Sequence, residues 1–197
     1  MTTRGKSSMR ARPREACATI GAPGTAPVRL TPPDTMDSAM APERALVGFG
    51  FRCWMRGAAH GEIASWELCW NAFAQALGTT GARRAVGDLS CWVRSLRASA
   101  GRTLKVFPTH CPGLCRDEVL AVSMIAASQN DVCPAMRACA YALLESPSLD
   151  APVELGQTFA TTLRREGVVL ATSDLVNAAA LVGTNTVDTH APGSRPN

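Results

Sequence analysis

The chain has 197 residues, 20 basic against 16 acidic side chains and a formal net charge of +4, with 46% hydrophobic, 18% charged and only 5% aromatic residues. That length can bury one core of ordinary size, and so mild a charge balance does not by itself argue for nucleic acid as the partner. No apolar run of about 18 residues exists to span a bilayer, and the charged N-terminus lacks the apolar centre of a secretory signal, so the expectation is a soluble, cytoplasmic protein with no membrane partner.

The charge divides along the chain as +2 over residues 1–43, +3 over 44–167 and −1 over 168–197. The first of these stretches holds six prolines from Pro13 to Pro42 and few apolar clusters, while residues 183–197 are rich in Gly, Thr, Asn and Pro. Neither can bury enough surface to offset the entropy of ordering it. The expected organisation is a disordered Pro/Arg-rich leader over 1–43, a helical domain over 44–182 and a disordered tail over 183–197. Arg4, Lys6, Arg10, Arg12 and Arg14 give the leader a transit-peptide composition without an amphipathic face. A translation start at Met36 or Met40 would make that leader an artefact.

The first helix is expected from Pro42 to Arg56, with Pro42 suited to its first turn, Leu46, Phe49 and Cys53 at helical spacing, and Gly57 as its stop. Gly48 and Gly50 weaken it by roughly 1 kcal/mol each against alanine, or else mark the close approach of a neighbouring helix. From Ile63 to Leu77, Trp66, Cys69, Trp70, Phe73 and Leu77 form an apolar stripe that faces a core, and Gly78 ends it. Three aromatics here make this helix the expected centre of the packing.

Thr79 or Thr80 can cap a third helix, Ala82 to Ala100, with Val86, Leu89, Val93 and Leu96 on one face and Cys91 and Trp92 beside it. Thr103 to Phe107 is too short to make a sheet without a partner and reads as a connector. The fourth helix, Cys115 to Gln129, is apolar nearly all round and therefore buried. A fifth begins near Pro134 and stops at Ser146-Pro147, and a sixth spans Pro152 to Glu166. A weak last helix follows Ser173. The pattern predicts an all-α compact bundle of about six short helices, in which Trp66, Trp70, Phe73, Leu89, Val93, Leu120, Phe159 and Leu163 are mostly buried.

Chemistry concentrates in one stretch, His110 to Glu118. Pro112 and Gly113 place Cys111 in a turn, and Asp117 and Glu118 lie in the first turn of the fourth helix, opposite its positive dipole end. The same dipole favours a thiolate on Cys115, while the two carboxylates push the other way, so no strong activation is expected without a further partner.

Two site readings follow. Zinc takes four thiol or imidazole ligands at about 2.0 to 2.3 Å, and His110, Cys111, Cys115, Cys133 and Cys139 are the candidates, although C-x3-C and C-x5-C spacings are unlike a zinc ribbon. Their bland alternative is a set of inert thiols, with Cys111 and Cys115 as a redox pair in between. The second reading is electrostatic. No carboxylate lies between Asp88 and Asp117, and Arg94, Arg97, Arg102 and Lys105 supply a patch for nucleic acid or another anion, unless they only solvate a helix face. By elimination the chain reads as a helical adaptor or regulatory protein that binds a protein partner and has no catalysis of its own. A thiol-dependent zinc or redox protein is the alternative, and a DNA-binding regulator the third.

Overall fold

The computed structural model of the protein describes residues 39–175. The expectations about residues 1–38 of the leader, the tail and the last weak helix beyond Leu175 lie outside the described residues, whereas Pro42 and Glu43 at the leader's end are already helical. Five helices follow one another: α1 (Pro42–His60), α2 (Ile63–Ser99), α3 (Arg116–Gln129), α4 (Cys133–Leu144) and α5 (Asp150–Arg165). Gly78 leaves helical geometry at φ 69° and breaks α2 into two segments, which only a residue without a Cβ does at low cost. Six helical segments and no strand among the described residues make this the expected all-α bundle. No helix among the described residues is long and apolar enough to cross a membrane.

The glycines of α1 are contact points. A Cβ on Gly50 would lie 2.7 Å from Cε2 of Phe73, and one on Gly57 only 2.3 Å from Nε1 of Trp66. Glycine therefore lets α2 close on α1. Gly57, where the sequence suggests a stop, keeps helical geometry, and α1 runs a turn further to His60 and ends where Gly61 turns left-handed at φ 65°.

The same close approach corrects the expected face of α2. Its buried residues before the break are Ser65, Cys69, Phe73 and Ala76, whereas Trp66 is half-buried and Trp70 is 36% exposed. Small side chains at 65 and 76 admit the neighbouring helix; Trp66 packs at the edge of that contact on Gly57 and Trp54, and Trp70 is turned to solvent. Beyond Gly78, Leu89, Val93 and Leu96 are buried as expected, but the dominant side chain is Trp92. Its ring stands 5.9 Å from Phe51 and 5.7 Å from Phe159, so it ties α1, α2 and α5 together.

The centre of the packing is α3 rather than α2. All of its residues except Arg116 and Ser128 are buried, and it lies against α1, α4 and α5. Two buried polar side chains in the body of this helix are bonded to the segment after α5. The Gln129 amide donates to the carbonyls of Ala160 and Val168 at 3.1 and 2.9 Å and accepts from Leu170 N–H at 2.8 Å. Ser123 donates to the Asp174 carbonyl, whose side chain pairs with Arg44 at 2.7 Å. The segment after α5 is thereby strapped across the bundle.

Candidate functional site: the connector between α2 and α3

The first turn of α3 carries the two consecutive carboxylates, and each has an arginine. Glu118 accepts from Arg52 Nε at 2.7 Å and from Arg52 Nη2 at 3.0 Å, with neither side chain exposed. The rest of the Arg52 guanidinium donates to main-chain carbonyls of Pro108, Cys111 and Gly113. Planar, forked and always charged, it can hold a carboxylate and a loop at once. Asp117 accepts both Nη atoms of Arg102 at 2.7 Å. Arg102 Nε also forms an ion pair with Glu145 at 2.9 Å.

These carboxylates also hold the connector. Lys105 N–H donates to Asp117 at 2.8 Å and Phe107 N–H to Glu118 at 3.2 Å. Exposure alternates along the segment: Thr103, Lys105 and Phe107 face outward, Leu104 is buried and Val106 half-buried. That is the period of a β-strand, displayed by a segment that belongs to no sheet.

Burial works against ionising Asp117, but the hydrogen bonds from Arg102 and Lys105 N–H, with the charges of Arg102 and Arg116, outweigh it and hold the carboxyl below its usual range. Cys115 caps α3: its sulfur receives the Glu118 N–H while the Glu118 carboxylate receives the Cys115 N–H. Burial nevertheless raises this thiol to about 11, with the nearby carboxylates adding to it and the N–H donors only partly offsetting it. The lack of strong activation agrees with the expectation, but its leading cause is burial rather than the carboxylates alone.

The proposed metal ligands are not brought together. Among the described residues no three His, Cys, Asp or Glu side chains converge as a metal site. His110 and Cys133 are exposed, Cys111 and Cys115 half-buried, and Cys139 is 4% exposed in the core, where burial raises its thiol to about 11. Cys111 lies in the turn and Cys115 at the start of α3, while Cys133 and Cys139 share α4 with the first exposed and the second buried. The proposed anion patch is likewise divided. Arg94 and Arg97 are exposed on α2, but Arg102 is committed to Asp117 and Glu145. Of the four, only Lys105 lines an open groove without a carboxylate partner among the described residues.

Two open grooves meet along the connector. One, of about 590 Å³, lies beside Arg102, Arg116, Asp117 and Glu145; the other, of about 520 Å³, runs between the connector and the end of α1, where Met55, Arg56, Ala59 and His60 form its wall. Thr103, Lys105 and Cys115 border both. Sequence reasoning reached Asp117 and Glu118 but missed Arg52 and Arg56; the available signal was two arginines at i, i+4 inside the apolar stripe of α1.

The chain matches no family model, no curated protein and no solved structure.

Proposed function

We propose that the protein is a helical adaptor that recognises a partner protein through the connector at Thr103–Phe107. The observation that carries this reading is the pair of grooves meeting along a segment fixed from behind by Asp117 and Glu118. Binding sites are concave, partly apolar and held rigid, and the groove beside α1 combines Met55, Ala59, Val106 and Phe107 with the charges of Arg56 and Lys105. Phe107, 38% exposed, offers an aromatic anchor of the type that dominates protein interfaces. The chemistry of the stretch also favours binding: Cys115 stays a neutral thiol, and both carboxylates are engaged by arginine.

Selection of displayed peptides on the intact chain tests this. Related sequences should be enriched and bind with dissociation constants of about 1 to 100 μM, and Phe107→Asp should weaken them at least about tenfold. Enrichment of no sequence family, or binding indifferent to Phe107→Asp in a variant of unchanged melting temperature, would refute the reading.

A further inference from the structure

The structure assigns to this site a mode and a ligand chemistry: an extended, acidic peptide segment of the partner adds itself as a strand to the free edge of Thr103–Phe107. The inference rests on the adaptor reading above and specifies what the connector binds.

In an extended chain, successive residues direct their N–H and C=O groups to opposite sides. The side used by Lys105 and Phe107 is taken, because their N–H groups reach Asp117 and Glu118 and the Lys105 carbonyl receives the Cys115 thiol at 3.3 Å. The opposite side belongs to Leu104 and Val106. Among the described residues their main-chain groups make no hydrogen bond. A strand edge of this kind is a template for another chain, and the groove of about 520 Å³ beside it, walled by the end of α1, leaves room for one. Addition of a strand to an exposed edge is an established mode of peptide recognition, in which main-chain bonds give affinity and alternate side chains give specificity.

Charge selects the peptide. The groove beside the open edge contains an arginine that the protein leaves without a close carboxylate: Arg56 is 3.8 Å from Glu62, beyond hydrogen-bond reach. Arg52 and Arg102, by contrast, hold their carboxylates at 2.7 Å. With Lys105 on the same groove, the Arg56 guanidinium asks for carboxylates on alternate residues of the incoming strand.

The test uses full-length protein labelled with 15N and three probes: a blocked decapeptide of alternating valine and glutamate, its valine–lysine counterpart, and a single-stranded oligonucleotide. The glutamate peptide should bind and slow amide exchange at Leu104 and Val106 at least about tenfold. Arg56→Glu should weaken it about tenfold or more, as should N-methylation of alternate peptide amides. Binding that leaves exchange at Leu104 and Val106 unchanged, equal binding of the lysine peptide, or binding of the oligonucleotide in its place would overturn the inference. So would no binding of the glutamate peptide at millimolar concentration. If peptides selected by display still bind through Phe107 in that case, only the mode proposed here falls; if they fail too, the adaptor reading falls with it.

Discussion

Arg52 and Glu118, separated by 66 residues in sequence, form a two-point ion pair with both side chains fully buried. The pair joins the middle of α1 to the start of α3, and through the carbonyls of Cys111 and Gly113 it also fixes the turn between them. Removing one charge from a buried pair leaves the other uncompensated and costs about 3 to 5 kcal/mol, a large part of the stability of a domain this size. Glu118→Gln should therefore lower the denaturation midpoint sharply. Arg52→Met with Glu118→Leu should cost less than the sum of its single changes, which a double-mutant cycle in urea would measure. Additive effects would show that the two side chains do not act as a unit.

Asp117 makes stability depend on acid. Its folded carboxyl is held below the usual range, so the unfolded chain takes up the proton first as pH falls. The contribution of the Arg102 pair is complete above the ordinary carboxylate value of about 3.9, shrinks below it, and is gone once pH has fallen through the folded value. Asp117→Asn should flatten the stability curve below about pH 4. A variant whose curve between pH 2 and 5 parallels that of the unaltered protein would contradict the assignment.

The tryptophans separate sharply. Trp92 is fully buried between Phe51 and Phe159, whereas Trp70 is 36% exposed. Trp92→Ala is expected to cost about 3 to 5 kcal/mol, and Trp70→Ala about 1 kcal/mol or less. Chemical denaturation of the two variants decides, and a larger loss at Trp70 would mean that α2 is rotated from the face described.

Much of the bundle was legible because its signals are local. Prolines at the starts of α1 and α4, glycine at the break in α2 and the apolar run of α3 are read within one or two turns of helix. The rotation of α2 was not, since Trp66 and Trp70 share the apolar spacing and only Gly50 on another helix, against which Phe73 closes, favours the face of Ser65, Cys69 and Phe73. The site was half legible. Asp117 and Glu118 were found as helix-start carboxylates, but their role depends on Arg52, 66 residues away from Glu118, and no local pattern encodes that meeting. The cysteines misled for the same reason: Cys111 and Cys139 are near in sequence, yet each follows the packing of its own element.

Thiol reactivity should follow burial. The thiolate is the nucleophile, and with Cys115 raised to about 11 only about 0.1% of it is ionised at pH 8. Iodoacetamide at that pH should modify the exposed Cys133 well before Cys115 or the buried Cys53 and Cys139, as peptide mass spectrometry would resolve. Preferential labelling of Cys115 would instead reveal an activated thiol on the turn.

The most direct measurement of the connector is amide hydrogen exchange in the free, full-length protein, residue by residue from Thr103 to Phe107. The account predicts slow exchange at Lys105 and Phe107, whose N–H groups are held by Asp117 and Glu118, and faster exchange by at least about tenfold at Leu104 and Val106 on the open edge. Equal protection of all four amides, or protection of Leu104 and Val106 alone, would contradict it.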